Sequence, residues 1–425
     1  MITERVSRLS EPKLSEPKEL KSDWQQRELF ALEAPKPKII PRSEHPISRK
    51  NISREALKVL YRLKDAGHLA YLVGGSVRDM LLGLKPKDFD VGTDARPEEI
   101  RRLFRWSRII GRRFRLVHVY FRGGKFIEVV TFRGPETAEE DGLEVFGTPY
   151  EDAFRRDITI NALFYNIADY TIIDYVGGME DLKAGIIRVI GDPDQRFIRD
   201  PVRMMRAIRH AARIGFTIEE RTWEAILRHH EKIMLCAPMR VRDEWLKDVL
   251  GGWSAPWAEL MWKSGLFEEV FPAYGKVLAR ASQKDRRFFF RLLAEMDRKV
   301  KKGRFSEAQA LALFLYPFPV SSGRLPRVPE RAGRPYELLR QEMKKVFYPY
   351  DFKKELFENT LQLLASVWPL KYHLLMGNSI PRRLSRKSYF EEALAVTEVI
   401  LKLEKELLGI EAPRRRRRRR RRPHA

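Results

Sequence analysis

The chain has 425 residues, one cysteine and a formal charge of +24, from 82 Lys and Arg against 58 Asp and Glu. That length predicts two or three domains, and the lone Cys236, read as apolar filler, excludes both a disulfide framework and a cysteine-rich zinc site. No apolar run approaches the roughly 18 residues of a membrane span, and the polar N-terminus lacks an apolar signal segment, so a cytoplasmic location and no membrane partner are expected.

Residues 1–48 are rich in Pro, Ser, Glu and Lys and repeat the pentapeptide LSEPK at 9–13 and 14–18. So little apolar surface cannot offset ordering entropy, and a disordered lead is expected. NISREALKVLYRLKDAG then reads as a helix, with Ser53 as N-cap and Gly67 as stop. A strand, AYLVGG, is followed by a short helix through SVRDMLLG, a DFDVGT strand and a helix from PEEIRRLF that opens on Pro97 with Glu98 and Glu99 in its first turn. HVYF and FIEVVTF read as a hairpin turning through Gly123 and Gly124. Strand signals thin out from about residue 180, and helical periodicity continues to EVILKLEKELLG. The fold class expected is α+β: an N-terminal domain with a mixed sheet, then an all-helical C-terminal half.

Chemistry concentrates in two stretches. On a strand, Asp88 and Asp90 share a face while Phe89 and Val91 turn to the core. Two carboxylates roughly 7 Å apart repel by about 2–3 kcal/mol at an effective dielectric of 20, which a divalent cation between them relieves. GGSVRD, from Gly74 to Asp79, joins a strand to a helix, where paired glycines let backbone NH groups approach a phosphate and Arg78 adds a charge. The same Gly-Gly is also an ordinary tight turn. A phosphate-cradling turn plus an acidic pair is what metal-dependent nucleotidyl transfer requires. Glu128, opposite in facing to Ile127 and Val129, is a further acid for that set or a solvated strand residue. Behind Pro201, Arg203, Arg206, His210 and Arg213 fall on one helix face, and Val202, Met205, Ile208 and Ala212 on another. Asp200 before Pro201 also reads as an N-cap.

GGSVRDMLLG, KDFDVGT, RRDITINAL and RDPVRMMRAIRHAARIGF stand in the order and spacing of the class II tRNA nucleotidyltransferase and bacterial poly(A) polymerase superfamily, which the chain resembles from about residue 45 to 250. The segment IIGRRFRLVHV, Ile109 to Val119, resembles the signature of its poly(A) polymerases. The resemblance implies a polymerase β-like nucleotidyltransferase domain at 49–180, a helical base-recognition neck at 181–250, a helical RNA-binding body at 251–412 and an arginine-rich disordered tail at 413–425. It implies Asp88 and Asp90 as metal ligands and Asp157 as third active-site acid. Gly74, Gly75, Arg78, Arg155, Arg156, Asn161, Asp200, Arg203 and Arg206 are implied to bind the nucleotide, with Asp200 and Arg203 at the base edge. Arg199 stands where the CCA-adding relatives have glutamate, which bears on how Arg203 is oriented.

The charge excess points to a polyanionic partner, nucleic acid before membrane. Its densest part is the run Arg414, Arg415, Arg416, Arg417, Arg418, Arg419, Arg420, Arg421 and Arg422, expected to hold RNA. The expected function is template-independent addition of AMP from ATP to RNA 3′ ends with two Mg²⁺ ions, Mn²⁺ being possible. Partners are RNA 3′ ends and ATP; protein partners are left open. The rivals are a CCA-adding enzyme, a non-catalytic RNA-binding protein and a small-molecule nucleotidyltransferase.

Overall fold

The computed structural model describes residues 36–111, 115–134 and 145–410. The run from Arg414 to Arg422 and part of IIGRRFRLVHV, residues 112–114, lie outside the described residues.

The N-terminal part is built on an eight-stranded sheet of order β1-β8-β7-β2-β3-β6-β5-β4. Its strands are β1 (Lys38–Ile40), β2 (Ala70–Val73), β3 (Asp90–Thr93), β4 (Ser107–Ile110), β5 (Leu116–Tyr120), β6 (Phe126–Thr131), β7 (Leu163–Asn166) and β8 (Ile172–Asp174). β3 and β6 pair in parallel and the other neighbours antiparallel, so the sheet is mixed, as expected. Four of these strands were not anticipated. β1 lies inside the stretch assigned to the disordered lead: Lys38–Ile40 pairs with β8, and Ile40 and Ile47 are buried, so order begins before residue 48. The hairpin of β5 and β6 forms, but through three residues, Arg122–Gly124, with both glycines at positive φ, rather than two.

The helix Arg54–Asp65 forms as expected, with the Ser53 hydroxyl accepting from the Ala56 amide at 3.1 Å and Gly67 at φ +88° beyond its end. Its buried face, Ala56, Val59, Leu60 and Leu63, joins one core with Leu72, Val91, Val129 and Tyr165 of the sheet. The opposite sheet face carries Val73, Phe132 and Phe164, whose rings cluster with Tyr71. Gly92 is required there: a Cβ would stand 2.7 Å from the Phe132 ring.

Beyond residue 180 the described chain is helical except for a short parallel pair, β9 (Ile186–Ile187) with β10 (Thr217–Ile218). The helix behind Pro201 spans Val202–Ile214. Its core face is as expected, but Arg209 and His210 are buried too, so the basic face is not wholly solvent-facing. Helices Pro238–Val249, Ser254–Lys263 and Gln283–Lys301 through Phe390–Leu408 follow, around an aromatic cluster of Trp245, Phe271, Phe314 and Phe347. Among the described residues, no helix is long and apolar enough to cross a membrane.

The Val202–Ile214 helix is joined to Pro238–Val249 by Arg209, which bonds the Glu244 carboxylate and stands 4.0 Å from Asp248. Asp248 is fully buried; one oxygen accepts from the Trp253 indole NH at 3.4 Å and the other has no hydrogen-bond partner. Burial pushes its carboxyl up to about 8, with Arg209 pulling the other way. Because the folded pKa exceeds the unfolded value, the native state binds more protons between the two. Stability conferred with Asp248 protonated is therefore full below about pH 4 and lost as pH rises towards 8. Asp248→Asn, which cannot ionise, should gain thermal stability relative to the parent between pH 6 and pH 8, the gap levelling off above that, as followed by thermal melts across pH. Parallel Tm–pH curves for the two proteins would contradict this.

Candidate active site

Gly74 caps the helix Gly75–Leu81 at φ +73°. A Cβ there would lie 3.4 Å from the Arg156 guanidinium and 3.7 Å from an Asp90 carboxylate oxygen, so the glycine lets both approach the turn. Asp90 opens β3, opposite Val73 on β2 and Glu128 on β6. Register neighbours share a face, which places the Asp90 and Glu128 carboxyl groups side by side on strands about 4.8 Å apart. Burial pushes the Asp90 carboxyl up to about 6; Glu128 adds to this, Arg156 opposes it and Asp88 adds a little more. Glu128 is also 3.3 Å from His118 Nε2.

Asp88 is exposed and precedes the strand instead of lying on it, because β3 begins only at Asp90. Strict alternation therefore does not govern it, although it borders the same cavity as Asp90.

Asp157 sits differently from these acids. One carboxylate oxygen accepts from Arg206 at 2.8 Å and the other from the Ile158 amide at 2.9 Å. Burial is the largest single influence and would raise its carboxyl, but Arg206, His210 and the Ile158 amide together outweigh it and hold the group well below the usual range. His210, 3.9 Å from Asp157, is driven towards its neutral form by burial.

Several residues expected at the nucleotide are bonded inward. Arg78 is 1% exposed and donates to Asp79 (2.6 and 2.9 Å) and to the Asn161 side-chain oxygen (2.7 Å). Asn161 Nδ2 lies 3.2 Å from His210 Nε2, and Asp79 accepts from Arg213 at 2.7 Å. A buried network thus ties the Gly-Gly turn to the Val202–Ile214 helix through Arg78, Asn161 and Arg206. The Arg78 guanidinium is turned to these partners inside the fold.

A cavity of about 580 Å³, the size of a small-molecule site, opens between Gly74, Gly75 and Asp90 on one side and the Val202–Ile214 helix on the other. Seven basic side chains line it against five acidic ones. Arg155 and Arg156 belong to this wall, Arg155 donating to the Gly134 carbonyl at 3.1 Å and Arg156 to Asp152 at 2.8 Å. Asp200 and Arg203 belong to it as well. Asp200 is no N-cap: its carboxylate accepts from Arg240 at 3.1 and 3.2 Å and lies 3.7 Å from Arg203. Arg133, Arg240 and Lys247 complete the basic lining, and sequence reasoning missed all three because they come from distant elements with no local motif.

Asp88 and Asp90 offer hard carboxylate oxygens, which suit Mg²⁺ or Mn²⁺. No group of three or more acidic, His or Cys side chains is preformed for a metal among the described residues. Mg²⁺ is commonly held by one or two carboxylates plus substrate phosphates, so Asp88 and Asp90 beside a basic cavity fit it.

Residues 70–188 match the Poly A polymerase head domain, and residues 215–277 the probable RNA and SrmB-binding site of polymerase A. Poly(A) polymerase I of Escherichia coli O6:H1 is 49% identical over 256 residues, 57% of this chain and 55% of the relative. A CCA-adding enzyme of Lactobacillus helveticus is 40% identical over 231 residues, 52% of this chain and 56% of the relative. The chain thus spans about half the length of the curated relatives it matches. The Bacillus stearothermophilus CCA-adding enzyme in complex with CTP shares the fold, with a TM-score of 0.57 and 24% identity over 84% of this chain and 79% of that one. The head-domain match spans the Gly-Gly turn, the acidic strand and the RRDITINAL turn, so residues 70–188, which carry the sheet side of the site, are similar to the Poly A polymerase head domain.

Proposed function

We propose that the chain adds AMP from ATP to RNA 3′ ends, without a template and with release of pyrophosphate. The observation that carries this is Asp90 at the edge of an arginine-lined cavity that the Gly-Gly turn closes, with Glu128 beside it on the neighbouring strand. The choice of adenylate draws on the poly(A) polymerase I relatives. The CCA-adding reading uses the same chemistry and draws on the CCA-adding relatives, which match at lower identity.

In this reading Arg133, Arg155 and Arg156 hold the triphosphate, and Asp200 with Arg203 meets the base edge. Arg240, bonded to both Asp200 oxygens, sets that carboxylate's orientation. Arg78, Asn161 and Arg206 position the turn and the helix. The 3′ hydroxyl oxygen bonds to the α-phosphorus, the α–β phosphoanhydride bond breaks, and pyrophosphate departs with the electron pair. The hydroxyl proton passes to solvent water on the side of Asp88 and Asp90. Asp88 and Asp90 would hold divalent ions, whose charge lowers the hydroxyl's pKa and steadies the leaving oxygens when bound.

Glu128, not Asp157, is the third acid of this proposal. Asp157 is committed to Arg206, whereas Glu128 stands directly beside Asp90.

Asp88→Asn and Asp90→Asn should each lower kcat by about a hundredfold or more while metal-free stability holds or rises, since a like charge is removed. Glu128→Gln should likewise cost activity with Tm kept. Asp157→Asn should cost about 3 kcal/mol of stability through the broken ion pair. Melts and kinetics on the four variants decide this; activity lost at unchanged Tm in Asp157→Asn alone would reverse the assignment of the third acid.

Given all four nucleotides and a generic RNA, the protein should build long tails dominated by A. Arg203→Ala should narrow the preference for ATP over CTP by about tenfold or more. Growth that stops after one to three residues on tRNA, with C before A, would establish the CCA-adding reading instead.

A further inference from the structure

Four strands of the sheet each place one residue in a single row across the active-site face. Asp90 on β3, Glu128 on β6, His118 on β5 and Arg108 on β4 are each in register with the next. The row starts at the cavity, which Asp90 lines, and runs out to the sheet edge, where β4 lies. Asp90 and His118 therefore flank Glu128. One repels its carboxylate, and the other faces it, with His118 Nε2 3.3 Å from a carboxylate oxygen. A proton on Nε2, present in the imidazolium and in one neutral tautomer, makes that nitrogen a donor to the oxygen.

The His118 ring is itself held. Phe126, two residues before Glu128 on the same face of β6, stacks on it with centroids 4.3 Å apart and planes 21° from parallel. Tyr120 on β5 meets it edge-on at 6.1 Å. Glu128 is looser, with a side chain 40% exposed, and fixing a glutamate in one rotamer costs conformational entropy. Beside Asp90, repulsion favours the rotamers that carry the carboxylate away into water. A stacked imidazole with a nitrogen against the carboxylate removes that freedom before substrate arrives. A pair this exposed adds little to stability, so its effect falls on where Glu128 stands more than on the fold.

We propose that His118 is the positioning residue for Glu128 in nucleotidyl transfer, with Phe126 and Tyr120 as the packing that fixes its ring. The proposal rests on the nucleotidyl-transfer reading above, with Glu128 as its third acid. It also gives a task to the segment IIGRRFRLVHV, in which His118 is the next-to-last residue and whose described residues do not line the cavity.

The test is steady-state extension of a short oligoadenylate by His118→Leu, His118→Gln, Phe126→Ala, Glu128→Gln and the double variant His118→Leu with Glu128→Gln. His118→Leu should lower kcat about tenfold with the ATP KM little changed. His118→Gln, whose amide still donates, should recover most of that loss. Phe126→Ala should lower kcat about threefold at unchanged Tm. The double variant should be no slower than Glu128→Gln alone, because a residue that acts through Glu128 then has nothing to act on. Mn²⁺ binding, read from the free-ion EPR signal with a non-hydrolysable ATP analogue present, should weaken in His118→Leu by no more than in Glu128→Gln and return in His118→Gln. Because Phe126 is exposed, its variant remains informative if His118→Leu is unstable. An unchanged kcat in His118→Leu, or a loss that multiplies onto that of Glu128→Gln, overturns the positioning role and leaves the transfer reading standing. A parent protein that extends no RNA with any nucleotide overturns that reading and this proposal with it.

Discussion

Asp90 and Glu128 repel one another across the single parallel pairing in the sheet, and the site is arranged around that repulsion. Burial first, and then the neighbouring Glu128, raises the free energy of ionised Asp90, and its carboxyl is displaced to about 6 as a result. Arg156 offsets part of this, but its guanidinium is shared with Asp152. A sheet could remove the conflict by exchanging one acid for an amide. Retaining both is intelligible when positive charge arrives with the substrate, as hard cations accompanying a triphosphate.

Around that centre the arginines divide into two groups. Arg78, Arg206 and Arg209 are bonded to Asp79, Asp157 and Glu244, and they bind the turn, the Val202–Ile214 helix and the following helix into one unit. Arg133, Arg155, Arg156, Arg203 and Arg240 line the nucleotide-sized cavity, which Arg206 of the first group also borders. Breaking a buried pair by removing one partner is costly, so the first group resists substitution for reasons of stability and the second for reasons of binding. A loss of activity in either group therefore needs a stability measurement beside it.

Local patterns carried much of this into the sequence. The Ser53 cap, the Pro97 start, the hairpin and the Gly-Gly turn are decided by residues adjacent in the chain, and they were legible there. β1, β4, β7 and β8 were not, because three- and four-residue strands gain their stability from sheet partners instead of their own periodicity. The same limit applies to the site. The acidic pair announces itself by spacing and the arginines of RRDITINAL by family resemblance, whereas the nearness of Glu128 to Asp90 depends on a register between strands 38 residues apart. Arg78 shows the complementary limit: its place beside two glycines suggests a phosphate, while its partners within the fold, Asp79 and Asn161, are visible only once the helix and the RRDITINAL turn meet.

The central claim is that Asp88 and Asp90 would hold the ions with Glu128 as the third acid beside Asp90, and that Asp157 is a structural partner of Arg206. Titration of Mn²⁺ into the protein, followed by the loss of free-ion EPR signal with a non-hydrolysable ATP analogue present, tests it directly. The account predicts ion binding that disappears in Asp90→Asn, weakens in Glu128→Gln and survives in Asp157→Asn wherever that variant is folded. Binding abolished by Asp157→Asn and untouched by Glu128→Gln would contradict it.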